Sequence, residues 1–131
     1  VHIESHYICR KKEYNRIIMD PYDRYELMVN GTVVNTPIVL ASMAGVVDAE
    51  YGLARQDNAG MVCMGGYSID ETTMAASRLL VEAGRDEFLT DDPVAEIRAQ
   101  AQILVESGLV IAVNMRGSAP ESYAAVARAV G

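Results

Sequence analysis

Apolar positions change rhythm along the chain, and each rhythm predicts an element. Tyr25-Glu26-Leu27-Met28-Val29 and Thr32-Val33-Val34 flank Asn30-Gly31, which predicts a hairpin, because a type I′ turn needs positive φ at both central residues. Pro37-Ile38-Val39-Leu40-Ala41 is a continuous apolar run that suits a strand buried on both faces. A Gly-containing loop follows, Ser42-Met43-Ala44-Gly45, and Asp48 is placed to cap a helix from about Ala49 to Asn58, with Gly60 past its end.

The unit then repeats. Met61-Val62-Cys63-Met64 predicts a second buried strand, ended by Gly65-Gly66. Ser68-Ile69-Asp70-Glu71 has the spacing of a capping box for a helix that runs to about Ala83 and stops at Gly84. Asp92-Pro93 opens another helix, whose stripe is Val94, Ile97, Ala101, Leu104 and Val105, and Gly108 closes it. Leu109 to Asn114 predicts a third strand, and Pro120 introduces a last helix from Glu121 to Val130. Residues 1–24 carry no convincing period and are set apart from 25–131, a hairpin followed by three βα units. Short buried strands alternating with helices imply a parallel sheet of α/β class. Periodicity alone leaves a doubly wound sheet and a barrel open.

Composition narrows the function. The chain has 131 residues, half of them hydrophobic, and a net charge of −7. That balance fits a globular domain and argues against a free-standing nucleic-acid binder, which normally presents a basic face. Cys9 and Cys63 are the only cysteines, and they lie far apart, so a reducing cytoplasm is expected rather than a disulfide scaffold. No apolar run approaches the ~20 residues of a membrane span. The start has no basic segment leading into an apolar stretch, so it does not read as a signal peptide.

In parallel α/β architectures the chemistry sits at the C-terminal ends of the strands. That rule selects Ser42 to Asp48, Gly65 to Asp70, and Asn114 to Ala119, all rich in small or polar residues. Asn114 and Arg116 are candidate ligand-facing groups, against an Asn that caps its own turn and an Arg that lies on the surface. Gly65-Gly66 reads as a turn before it reads as a phosphate cradle, because neither the P-loop nor the dinucleotide pattern is present. Cys63 reads as a small buried hydrophobe. His2, His6 and Cys9 make a weak metal set in an unpatterned terminus. Asp86-Glu87 and Asp91-Asp92 read as solvated surface plus a helix cap.

Two of the strand-end segments carry a family resemblance. Pro37 to Asp48, with Leu40-Ala41-Ser42-Met43-Ala44-Gly45-Val46-Val47-Asp48 at its end, is similar to the opening strand of tRNA-dihydrouridine synthases, which read APMAGVTD. Val113-Asn114-Met115-Arg116-Gly117-Ser118-Ala119-Pro120-Glu121 resembles that family's third-strand segment, usually VQ-x-x-G-S-x-P-E. Gly65 to Glu71 and Gly84 to Phe88 look more like an archaeal side branch of the family. The resemblance spans roughly residues 36–131. Ser42 stands where the family has Pro, Val47 where it has Thr, and Asn114 where it has Gln.

The resemblance implies the N-terminal part of a (β/α)8 TIM barrel with a preceding β-hairpin, left incomplete because a whole barrel needs ~250 residues. It implies FMN as cofactor, with Ser42, Met43 and Ala44 against the flavin ring and the Asn114 amide bonded to it. It also implies a flavin-dependent oxidoreductase of the dihydrouridine synthase or dihydroorotate dehydrogenase-like type, acting on tRNA or a pyrimidine. In the family the catalytic Cys follows the fourth strand, so this chain alone is expected to be inactive. The alternative is a non-catalytic half-barrel, stable only by self-association or by pairing with a missing C-terminal half. A barrel of other chemistry, such as a phosphate-binding aldolase, is disfavoured by residues 41–48.

Overall fold

A computed structural model describes residues 8–11, 25–29, 31–34 and 36–130 and arranges their strands in two three-stranded sheets. The first sheet is antiparallel, β1 (Ile8–Lys11), β2 (Tyr25–Val29) and β3 (Thr32–Val34) in that order. The expected hairpin is β2–β3, paired Leu27 to Val34, Met28 to Val33 and Val29 to Thr32, with Gly31 at φ +80° in the turn. Strand β1 was not expected from a segment without a period; pairing along β2, Ile8 to Met28 through Lys11 to Tyr25, defines it.

The second sheet is parallel, in the order β4 (Val39–Leu40), β5 (Met61–Ser68), β6 (Val110–Arg116). Four helices accompany it among the described residues: α1 (Ala49–Leu53), α2 (Glu71–Glu82), α3 (Pro93–Leu104) and α4 (Pro120–Val130). Thus a mixed α/β architecture built on a parallel three-stranded sheet follows the antiparallel one.

Register decides which side chains share a face. Leu40, Val62 and Ile111 are paired in one row, and Met64 and Val113 in the next. This face carries the core: Val62, Met64 and Leu104 are fully buried, and Ile97 and Val126 nearly so, with Leu40, Ile111, Val113 and Met115 packed against them. Helices α1, α3 and α4 cover it, α3 packing against both others. Gly52 of α1 permits the approach, because a Cβ there would lie 3.2 Å from Leu104 and 3.3 Å from Val62. The alternate positions point the other way. There Val39 is 50% exposed, and Met61, Cys63, Val110 and Ala112 are only partly buried.

Several expectations need correction. Ile38 and Val39 are 52% and 50% exposed, so the first apolar run is an edge strand rather than one buried on both faces. Helix α1 ends at Leu53 and gives way to turns rather than reaching Asn58. Gly65-Gly66 does not end β5, which continues to Ser68 because Tyr67 and Ser68 pair with Met115 and Arg116 after a register shift. With Ser68 held in the strand, the capping box moves to Asp70 and Thr73. In the α3 stripe, Val105 is 62% exposed because the helix has already ended at Leu104. The Asp92 cap and Pro93 start are as expected, with Ala95 N donating to Asp92 Oδ1 at 3.0 Å.

Candidate functional site

The three predicted loops lie together at the C-terminal ends of β4, β5 and β6, and one hydrogen bond ties the first to the third. Asn114 Nδ2 donates to Ser42 Oγ at 2.9 Å, across 72 residues of sequence. Parallel pairing produces this contact: Gly65 of the central strand is level with Asn114, and Ser42 leaves the opposite neighbour. Ser42 and Ala44 are half-buried, Met43 is 60% exposed, and Asn114 is exposed. The four residues expected to meet a ligand therefore share one rim, with the Asn114 amide open to solvent.

Between Ser42 and Asn114 the floor is glycine. A Cβ on Gly65 would collide with the Asn114 carbonyl oxygen, and φ at Gly65 is +104°, so both space and conformation exclude a side chain. Gly66 differs: its missing Cβ would stand 3.4 Å from Asn114 Nδ2 and 3.5 Å from Arg116 Nε. The two donors thus converge over a backbone that presents no side chain.

Arg116 is neither free nor on the open surface. Its Nη2 donates to the Gly66 carbonyl at 3.1 Å, to Ser77 Oγ at 3.1 Å, and to the Glu87 carboxylate. The Glu87 side chain is 6% exposed, which corrects the reading of Glu87 as solvated surface, whereas Asp86 is exposed as expected. Arg116 Nε is buried and has no acceptor among the described residues.

The segment that carries Glu87 joins all three loops. Gly45, at φ +72°, abuts Asp86 so closely that a Cβ would lie 2.5 Å from Asp86 Cβ and 2.7 Å from its carbonyl carbon. Phe88 bridges to Tyr67 and stacks on it, ring centroids 5.2 Å apart. Glu87 holds Arg116. Helix α2 is fixed at the same place by polar contacts: its one buried residue is Ser77, whose Oγ lies 2.7 Å from Ser68 Oγ.

Asp70 ties the second loop to the third. Its Oδ1 accepts from Thr73 N at 3.0 Å and its Oδ2 from Ser118 N at 2.6 Å and Ser118 Oγ at 2.9 Å. These donors, the Ser118 N–H first and the Thr73 N–H next, hold its carboxyl well below the usual carboxylate range. Tyr67 is shifted the other way. Burial removes water from its phenolate, Glu96 and Asp48 oppose the charge, and the hydroxyl is pushed up to about 12. That hydroxyl has no hydrogen-bond partner among the described residues.

Ser42, Met43, Ala44 and Asn114 come together as the sequence predicts, and Asp70 lies at the end of the second selected loop, but Glu87 was expected on the surface and Ser77 was not singled out. Only a pairing signal between residues 87 and 116 would have found the buried ion pair. Cys63 is partly buried on the less covered face of β5. His2 and His6 lie outside the described residues, as does the Cys9 side chain; among the described residues no cluster of three or more His, Cys, Asp or Glu is placed to hold a metal. No described helix is long and apolar enough to cross a membrane.

No family model matches the sequence. An uncharacterised protein of Methanocaldococcus jannaschii is 35% identical over 81 residues, which is 60% of this chain and 31% of that protein. The matched region thus spans about a third of that relative's length. No solved structure matches.

Proposed function

We propose that this chain supplies the flavin-facing wall of an FMN-dependent oxidoreductase of the dihydrouridine synthase type, built on the first three βα units of a TIM barrel. The observation that carries the reading is the Asn114–Ser42 hydrogen bond at the C-terminal ends of adjacent parallel strands. It unites the two segments that resemble the family and leaves the amide facing outward. The sequential order of the three parallel strands, each followed by at least one helix, supports the reading.

The residues present suit a flavin. Ser42, Met43 and Ala44 share one rim with Asn114, whose amide offers a donor and an acceptor to the polar edge of the ring. When bound, the flavin would supply hydride transfer to or from a pyrimidine C5–C6 bond. Ser42 holds the Asn114 amide, the exposed Met43 would lie against the ring, and Glu87 with Arg116 ties the 86–88 segment to the second and third loops. The proton donor and the phosphate grip of the family follow later strands, so this chain would contribute binding and orientation, with tRNA or a pyrimidine as substrate of a longer protein.

The test is the visible absorption spectrum of the chain after incubation with FMN and desalting. Retained flavin bands, lost in Asn114→Leu, support the reading; a colourless protein at saturating FMN counts against a site in this chain. A second reading has its own observation: Ile38 and Val39 are half exposed on edge strand β4. A half-barrel that covers this edge by self-association would sediment as a dimer or larger, whereas a cooperatively folded monomer would rule that out.

A further inference from the structure

Helix α2 stands apart from the other three helices. Those three share the face of the parallel sheet that holds Val62, Met64, Val113 and Met115. Side chains alternate along β6, so Asn114 and Arg116 point to the opposite face. There α2 seats Ser77, its Oγ 3.1 Å from Arg116 Nη2 and 2.7 Å from Ser68 Oγ. Helix α2 therefore lies beside Asn114, on the face that carries the candidate site.

Its anchorage is also different. Ser77 is the one buried residue of α2, whereas α3 buries Ile97 and Leu104. Leu79 and Val81 of α2 are 65% and 41% exposed. A helix with so little buried apolar surface opens locally before the rest of a domain does. Both flanks are tied. Asp70 holds Ser118 before the helix, and after it Asp86 abuts Gly45 while Phe88 bridges to Tyr67. Between them Gly84 has φ +80° and nothing within 4 Å of a built Cβ, so the chain has room to turn there.

Arg116 joins these parts. Its Nη2 donates to Ser77, to Glu87 and to the Gly66 carbonyl, and its Nε stands 3.5 Å from the missing Cβ of Gly66. The guanidinium thus covers Gly66, which is buried. Arg116 Nε is itself buried without an acceptor. The closed arrangement takes water from that N–H and returns no bond, an unfavourable contribution that lifting α2 would relieve.

We propose that α2 is a lid on the strand-end site, latched by Arg116 between Ser77 and Glu87, and that its opening uncovers the Gly65-Gly66 backbone beside Asn114. The proposal concerns access, and it rests on the reading that the strand-end loops bind a ligand.

Two measurements separate the lid from the ligand. The first is native-state amide exchange on the full chain, in wild type, Ser77→Ala and the double variant Ser68→Cys/Ser77→Cys, the last both oxidised and reduced. Amides of α2 should exchange about tenfold or more faster than those of α3 in wild type. Ser77→Ala should widen that gap about tenfold further, as for one or two lost hydrogen bonds. A disulfide across the two hydroxyl positions should close it. The second is stopped-flow association of FMN with the double variant. The disulfide should slow association about tenfold or more, and reduction should restore it.

Equal exchange of α2 and α3 would overturn the lid, as would fast α2 exchange that the disulfide leaves unchanged. FMN association indifferent to the disulfide would remove the gating role and leave the flavin reading standing. If FMN binds neither form, the flavin reading falls and exchange alone decides: opening that the disulfide suppresses supports the lid, and a protected α2 overturns it.

Discussion

Gly45→Ala should be among the most damaging single-methyl changes in the chain, and the structure says why. Two costs add. Gly45 sits at φ +72°, where an L-residue pays about 1 kcal/mol. Its new Cβ would also lie 2.5 Å from Asp86 Cβ, 2.7 Å from Asp86 C and 2.8 Å from Glu87 N. These are backbone or backbone-proximal atoms, so no flexible side chain can swing away, and overpacking of this kind costs about 1–3 kcal/mol. The sum is about 2–4 kcal/mol. Gly84 is the control: it has φ +80° and nothing within 4 Å of a built Cβ, so Gly84→Ala carries only the conformational cost. Urea or thermal unfolding of both variants separates the two contributions, with a difference of about 1–3 kcal/mol expected, or roughly 4–10 °C in Tm for a domain of this size. Because Asp86 and Glu87 must shift, Gly45→Ala should also broaden the Arg116 side-chain signals. Equal stability of the two variants would refute the claim that the 86–88 segment is clamped against the first loop.

The other consequences are more local. Asp70 has a depressed carboxyl in the folded state, so its stabilisation is present above the unfolded value of ~3.9 and is lost as pH falls through the lower folded value. The urea midpoints of wild type and Asp70→Asn should therefore stay separated from pH 5 to 8 and converge below about pH 4; a constant gap down to pH 2 contradicts the Ser118 and Thr73 bonds. Tyr67 is raised, so its contribution is present below ~10 and lost as pH climbs toward about 12. Tyr67→Phe removes an unpartnered buried hydroxyl and should leave stability at neutral pH equal or higher while flattening the alkaline limb, seen by circular dichroism between pH 9 and 12. Glu87→Gln leaves Arg116 half-buried without its counter-charge and should cost about 1–3 kcal/mol in chemical unfolding, with faster amide exchange in α2 than in α3. Uniform exchange across both helices would place the ion pair outside the clamp.

The legible parts of the fold were those with local chemistry. Asn30-Gly31 dictates a hairpin, Asp92-Pro93 a helix start, and Gly84 and Gly108, at φ +80° and +75°, two helix ends. The illegible parts depend on partners distant in sequence. Gly65 and Gly66 have little strand propensity, yet β5 runs through them because β6 pairs beyond them. Both Ser68-x-x-Glu71 and Asp70-x-x-Thr73 have capping-box spacing, and the Ser68 to Arg116 pairing decides for the second. Glu87 stands among acids that look like solvated surface, and its burial follows from an arginine 29 residues later. For the site, the small-residue loops were visible because parallel strands place ligands at their C-terminal ends. The glycine floor and the ion pair that shape it were not.

The central claim is that Ser42 and Asn114 act as one unit in a flavin site, and a double-mutant cycle on the FMN dissociation constant tests it most directly. Flavin fluorescence is titrated with wild type, Ser42→Ala, Asn114→Ala and the double variant. Each single change should weaken binding, and the double variant should lose less than the sum of the two single losses, by about 0.5 kcal/mol or more, as for residues in one hydrogen-bonded unit. Additive losses, or FMN affinity indifferent to Asn114, would contradict the account.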